Sequence, residues 1–405
     1  MRIMERVLNI FRNQNDNSIT HPAELAALLT LGTTETISGI SITPKKAMAV
    51  PAFNRGVNLL SEMVAMLPVK LYRKISDSER EEARSHNQYG LFHTMANDYM
   101  TAGQFRYVSQ RNLLLYGNAY AFKNKIRGVV RKLTPIHPPR VRVEQNDNLM
   151  ITYVVTMPSG LERKYTADDI WHLRAHSEDG VVGISPVQEH RETLAMCIAA
   201  EQHGAMLFSN AAKPGGILHT DSKVSEEDIK KITDSWHSSV GGGNKYSTAV
   251  VDNGFKFSPL AMDNEHVQYI EIRQFLVAEI ARILGIPPIL LWHSDTASTF
   301  ASAKELVQAF LKFSLDPWLT LWEENYNTQV ISGTSDKFYS EFVRQGIERM
   351  DLSSRMESYA KAIQNRIMNP NEVRQRENMN GYDGGDEFLN PNITPGGQDD
   401  GQSAE

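Results

Sequence analysis

Two long stretches of helical periodicity constrain this chain more than any other feature. The first opens at Ser185-Pro186-Val187-Gln188, which combines a capping serine, a proline at the first helical position and a glutamine at the third. It runs to Ala212 and stops before "KPGG". At 1.5 Å per residue it spans roughly 40 Å. The second runs from about Glu265 to Leu284, roughly 30 Å. Its apolar stripe is Val267, Ile270, Phe275, Leu276, Ile280 and Ile283. Residues 213–263 between them hold a strand, a charged amphipathic helix, a glycine-rich loop and a strand pair. The expected arrangement is a two-helix stalk with a small α/β module at its tip.

The second helix is stopped hard. Gly285, Pro287 and Pro288 cannot continue it. "LWHSDTASTF" follows, with no apolar period to anchor it. A third long helix is expected from the capping-box pattern Ser302-Ala303-Lys304-Glu305 to "WEENYNTQV", kinked at Pro317.

Ahead of the stalk, a helix is expected from Pro51 to Pro68, then "VKLYRK" as a strand. Thr101 to Gln104 reads as a capping box opening another helix that ends at "LLLYGN". From about 119 to 175, alternating segments separated by Arg127-Gly128, "NDN" and "PSG" read as an antiparallel sheet. After the third helix come a strand, "KFYSEFV", and two shorter helices, "SSRMESYAKAIQNRI" and "NPNEVRQREN". Residues 377–405 hold seven acidic residues and no Lys or Arg, and read as an irregular tail.

A search for catalytic chemistry returns nothing. "GGGNKYST", Gly241 to Thr248, fails as a phosphate loop because Asn244 precedes Lys245 and Tyr246 follows it. "GISPV" departs from a nucleophile elbow at Val187, so Ser185 is better explained as a cap. "DDIWHLRAHSED" gathers His172, His176, Asp168, Asp169, Glu178 and Asp179, but lacks the Glu beside the first His that a zinc-protease helix needs. The reading is a strand and turn, with no metal and no cofactor. Cys197 is the single cysteine, which excludes an intrachain disulfide and leaves a buried small residue as its default. A net charge of -6 argues against a sequence-independent grip on nucleic acid over the whole surface. No uncharged apolar run of about 18 residues is present, so no membrane span is expected. The opening "MRIMERVLNIF" is broken by Glu5 and reads as a short amphipathic helix, not a signal peptide.

Several segments in order resemble the HK97-type portal proteins of tailed phages: "GVNLLSEMVAMLPVKLYRK", "FRYVSQRNLLLYGNAYAF", "LTPIHPPRVRV", "YTADDIWHLRAHSEDGVVGISPV", "HGAMLFSNAAKPGGIL", "VVDNGFKFSPL", "EIARILGIPPILL", "FSLDPWLTLWEENYN" and "NPNEVRQRENMNGYDGGDE". The likeness runs from about Ala47 to Pro391, with Ala211 where a glycine is expected. It implies an α+β portal-like fold and no enzyme. The implied parts are an N-terminal arm (1–46), a mixed α/β wing (47–185), a first stem helix (186–212), a small inserted α/β clip (213–263) and a second stem helix (264–286). They continue with a tunnel loop (287–301), a long helix and strand returning to the wing (302–350), a helical crown (351–380) and an acidic tail (381–405).

The resemblance further implies a homo-oligomeric ring, typically a dodecamer, at one capsid vertex of the virion, assembled in the host cytoplasm. Double-stranded DNA would pass through it. Terminase and head-completion or adaptor proteins would dock on it, with the major capsid protein and scaffold beside it. The tunnel loop would bring Trp292, His293, Ser294, Asp295, Thr296, Ser298 and Thr299 to the channel. The clip helix would present Glu226, Glu227, Asp228, Lys230 and Lys231 to docking partners. The competing reading is a capsid or adaptor protein that assembles without passing DNA, which would need neither the long helices nor the polar loop between them and the third.

Overall fold

The computed structural model describes residues 36–76, 79–209, 216–220, 225, 227–231, 233–234, 256–259, 263–291, 300–331, 337–344, 352–377 and 379–388. The chain divides into two compact units, residues 1–342 and 343–405.

In the first unit, helix α1 (Pro51–Met66) begins with proline in its first turn. It ends because Pro68 forces Leu67 into extended backbone, φ -71° and ψ 127°. Strand β1 (Val69–Lys74) follows at once and pairs antiparallel with β2 (Arg80–Glu82). Helix α2 (Tyr89–His93) and the small ribbon β3 (Met95–Asn97) with β4 (Met100–Thr101) lead into α3 (Ala102–Tyr116). The capping box is present: Thr101 Oγ1 accepts from the Gln104 amide at 3.1 Å and Gln104 Oε1 from the Thr101 amide at 3.0 Å. Gly117 ends the helix at φ 73°.

The expected sheet region forms two separate three-stranded sheets. In one, β10 (Ile170–Arg174), β5 (Asn118–Ile126) and β6 (Val129–Ile136) pair in that order. Arg127 and Gly128 both take positive φ, 53° and 79°, as a two-residue hairpin turn requires. In the other, β7 (Val141–Gln145), β8 (Ile151–Thr156) and β9 (Glu162–Thr166) form a meander.

Helix α4 (Pro186–Glu189) is capped by Ser185, and after a break at His190 the chain continues as α5 (Arg191–Ser209). The expected end at Ala212, and Ala211, lie outside the described residues. Strands β11 (Gly216–His219) and β12 (Lys256–Pro259) pair antiparallel and close the base of the inserted segment. Helix α6 (Asp263–Leu284) returns the chain.

Helix α7 (Phe300–Ala309) starts two residues before Ser302, so that serine sits in the first turn instead of at the cap. The expected kink is a π-helical stretch, Phe310–Leu315, lying just ahead of Pro317. Proline lacks the amide that an α-helical ladder needs there, and a wider turn relieves the clash of its ring. Helix α8 (Asp316–Gln329) carries on, and β13 (Phe338–Phe342) then adds to the free edge of β1.

The main core gathers Phe53, Val57 and Leu60 of α1 with Leu114 of α3, Leu194 of α5, and Leu276, Ile280 and Leu284 of α6. An aromatic group lies between α3, α8 and β10. Trp171 stacks on Tyr326 at 6.0 Å, Phe105 meets Trp171 at 5.3 Å, and Trp322 Nε1 donates to Gln110 Oε1 at 2.8 Å. Arg106 is buried and caps α1 from the side, donating to the carbonyls of Val64, Ala65 and Leu67 and to that of Phe92. Its charge faces the negative end of the helix.

Helix α8 is held on two opposite faces. Asn327 Oδ1 accepts from the Ser340 amide at 2.7 Å and Glu323 Oε1 from the Phe342 amide at 2.7 Å, along β13. On the other face, Gln329 bonds both the amide and the carbonyl of His172 at 3.0 Å, and Asn325 donates to the same carbonyl. Side chains of one helix thus stand in for a missing strand on each of two sheets.

In the second unit, α9 (Leu352–Gln364) and α10 (Pro370–Arg376) form the two expected short helices. Glu377 joins them through Arg355 at 2.8 Å and Tyr359 at 3.1 Å.

Candidate functional site

The helix pair α5 and α6 lies side by side and antiparallel, and small residues set its closeness. A Cβ on Gly204 would meet the Tyr269 hydroxyl at 1.9 Å, so the ring fits only because position 204 has no side chain. One turn along, Arg273 lies 4.0 Å from Glu201. A small cavity nearby is lined by Cys197, Ala200, Glu201, Arg273, Leu276 and Val277. Burial pushes the Cys197 thiol up to about 11, so it stays protonated and packs as a small apolar residue.

The sequence stripe on α6 divides. Leu276 and Ile280 are buried in the chain's own core, and Ile283 packs partly against it. Ile270 and Phe275 are exposed, as is Ile272. Val267 lies on the helix one turn before them.

The end of α6 matches the expected brake. Gly285 takes φ 64°, and the Ile286 amide bonds the Ala281 carbonyl at 2.8 Å, which closes the helix. The next residues are pinned to α1. A Cβ on Gly56 would meet Leu284 at 2.3 Å, Ile286 at 3.3 Å and Leu291 at 3.4 Å. A short 3₁₀ turn, Pro288–Leu291, follows and ends on buried Leu291. On the far side, Ser314 in the π stretch donates to the Gly285 carbonyl. The start of the connection is therefore held at Leu291 against α1, and the helix brake at Gly285 is held to the π stretch that follows α7.

Of the expected site residues, Trp292, His293, Ser294, Asp295, Thr296, Ser298, Thr299 and Glu226 lie outside the described residues. So does the loop from Gly241 to Thr248. Glu227, Asp228, Lys230 and Lys231 are all exposed on a helical stretch, 227–231. Ser225 opens it: its hydroxyl accepts from the Asp228 amide at 3.3 Å and donates to Asp228 Oδ2 at 2.7 Å. Lys231 lies 3.8 Å from Asp228.

His172 is buried in β10. Its Nε2 lies 2.9 Å from Asn118 Oδ1 and its Nδ1 3.2 Å from the Tyr153 hydroxyl. Burial, with a smaller push from Arg174, lowers it to about 3, so it is neutral. Asn118 also bonds Gly183, at the crossing where Gly117 and Gly183 pass with no room for a Cβ on either. Among the described residues, no group of three or more His, Cys, Asp or Glu side chains is placed to hold a metal ion. Nor is any helix long and apolar enough to cross a membrane.

Sequence reasoning missed Gly56, Gly204 and Ser314. The two glycines did leave a signal, since glycine inside a helical pattern marks a close approach.

A family model described as phage portal protein matches residues 51–378. A probable portal protein of Streptomyces phage phiC31 is 30% identical over 371 residues, covering 84% of this chain and 77% of that one. The portal protein of Enterobacteria phage HK97 is 27% identical over 352 residues, covering 85% and 82%. Among solved structures, a chain from the neck of a native gene transfer agent particle, computed with C12 symmetry, has a TM-score of 0.58 at 18% identity, covering 94% of this chain and 100% of that one. That last likeness is one of fold.

Proposed function

The chain belongs to the phage portal protein family, and we propose that its copies close into a ring at one vertex of the capsid, twelve in number as the C12 neck suggests. Double-stranded DNA passes through the centre during packaging and ejection. The observation that carries this reading is the far half of the helix pair. Along α5 and α6, Met196, Ile272 and Phe275 stand exposed, an apolar face that suits cover by another copy.

The parts follow in order. Residues 47–185 and 302–350 make the wing, and 186–212 with 264–286 make the stem. Residues 213–263 make the clip, where terminase and head-completion proteins dock. Residues 351–380 make the crown and 381–405 the acidic tail, while 1–46 make the N-terminal arm. Residues 287–301 make the tunnel loop. Its serines and threonines offer short polar contacts without fixed charge, and Asp295 repels phosphate. A sliding duplex needs this, because each phosphate neutralised adds affinity. The mixed charges of Glu227, Asp228, Lys230 and Lys231 suit a reversible, salt-sensitive contact with terminase. The chain hydrolyses no nucleotide, and the motor is the separate terminase.

Electron microscopy of the purified full chain, and of a variant lacking residues 293–298, tests this. Open-centred rings are expected from both, with DNA packaging or retention impaired in the variant. A monomer that turns over ATP, with turnover lost on Lys245→Ala, overturns the reading.

A further inference from the structure

We propose that neighbouring copies meet through two heptad-spaced stripes, one on α5 of each chain and one on α6 of the next, in a fixed register. Glu192 lies on Arg282, Met196 on Glu279, Ala199 on Phe275, His203 on Ile272 and Met206 on Gln268. The proposal rests on the ring reading above and names the residues that would close it.

The stripes come first. On α5, Glu192, Met196, Ala199, His203 and Met206 recur at spacings of four, three, four and three. On α6, Gln268, Ile272, Phe275, Glu279 and Arg282 do the same. This is the period of a coiled-coil seam. The large apolar members are exposed, Met196 at 54%, Met206 at 62%, Ile272 at 48% and Phe275 at 59%, while Glu192, Ala199 and Glu279 are half-buried. The contact with the partner helix in the same chain is centred on Cys197, Glu201 and Gly204 of α5 and on Tyr269, Arg273 and Leu276 of α6. His203 lies at its margin, its ring 6.1 Å from that of Tyr269, and the other stripe residues lie further round.

Direction comes next. At 100° per residue, the outer stripe lies roughly 140° around α5 from its intrachain face and roughly 115° around α6. Because the two helices are antiparallel, these rotations turn both stripes to the same side of the plane through the two axes. Copies joined at such faces bend one way at every joint, which is the condition for a head-to-tail contact to close into a ring.

Register decides the pairing. A rotation about the ring axis leaves every residue at its own height, so residues level within one chain stay level across the joint. Within the chain, Gly204 is level with Tyr269 and Glu201 with Arg273. The proposal takes both helices to run along the axis, and continuing those levels then sets the two stripes residue against residue, as paired above. The chemistry then fits. The largest side chain, Phe275, meets the smallest, Ala199. Acidic Glu192, one oxygen of which accepts from the Ile37 amide at 3.1 Å, meets Arg282, which within its own chain pairs with Glu279. The pairing places Arg282 between two carboxylates.

The test uses the full chain carrying Ala199→Cys with Phe275→Cys, oxidised after native mass spectrometry has established rings. A reducible ladder of linked chains on a denaturing gel is expected. The parent chain, with buried Cys197 alone, should give none. Met206→Cys with Arg282→Cys places the thiols roughly 20 Å apart along the axis, too far to link, and should also give none. Rings without a ladder from the first pair, or with an equal ladder from the second, overturn the register and leave the ring standing. A parent chain that never forms rings overturns both. Should the cysteines disturb folding, Glu192→Arg is expected to reduce the ring population at least tenfold and Glu192→Arg with Arg282→Glu to restore it. Absence of that rescue overturns the pairing.

Discussion

Helices α6 and α8 make opposite use of their surfaces. Around α8, Trp322 and Tyr326 sit in the aromatic group, while Glu323 with Asn327 and Asn325 with Gln329 bond two different sheets. Every one of these partners belongs to the same chain. Around α6, the residues buried in the core lie in the last turns, Leu276, Ile280, Ala281 and Leu284, while Ile270, Ile272 and Phe275 are exposed. An apolar stripe therefore says that a helix must be covered, and only the fold says by whom.

The widest test of that contrast sets two phenylalanines against each other. Phe105 is 1% exposed and Phe275 59%. Phe105→Ala should lower unfolding stability by about 3–5 kcal/mol in urea denaturation, through lost contact and a residual cavity. Phe275→Ala should change monomer stability by no more than about 0.5 kcal/mol, yet weaken self-association measured by sedimentation. Equal effects on folding would mean that α6 is covered within the chain.

A middle-sized effect comes from His172, at the strand that α8 plugs. Its folded state is neutral down to about pH 3, whereas the unfolded residue gains a proton below about 6.5. Its contribution is complete above 6.5 and is lost as pH falls toward 3, with a slope of about 1.4 kcal/mol per pH unit. Glu82, which burial raises but hydrogen bonds from Arg84, Tyr89 and Lys70 pull down to about 2, adds its own loss only at lower pH. Unfolding measured between pH 6.5 and 4.5 should thus show the slope in the parent and a flatter profile in His172→Gln.

The smallest expected effect is at Gln329. Gln329→Ala frees the His172 amide but leaves its carbonyl bonded to Asn325. A loss of about 1–2 kcal/mol is expected, with faster hydrogen exchange confined to β10. Exchange unchanged at His172 would show that the helix side chain is not what protects that edge.

Much of this was legible in local chemistry. Pro51, Ser185, the Thr101 capping box, the Arg127-Gly128 turn and the Gly285 brake each act within a few residues of themselves, and each stands where the sequence puts it. Errors arose where a distant neighbour decides. Ser302 fits a capping pattern, but the helix begins at Phe300. Pro317 marks a disturbance without specifying a π stretch tied to Gly285 through Ser314. "WEENYNTQ" reads as the end of the third long helix, and nothing local reveals a strand edge on either side of it. His172 could be placed on a strand, but its solvation depends on Asn118, Tyr153 and α8, all remote in sequence. For the channel and docking residues, the sequence supplied only the resemblance, and of them the structure describes the exposed clip residues 227, 228, 230 and 231.

The double attachment of α8 also bears on how copies avoid joining wrongly. Chains gathered side by side hold their sheets at high local concentration, and an open strand edge is a template for pairing with another chain. The edges of β10 and β13 that face α8 do not offer that template. Gln329 occupies both backbone groups of His172, and Asn327 and Glu323 occupy the amides of Ser340 and Phe342. A crowd of such molecules is denied strand exchange at these two edges and is left to sort itself through its helices.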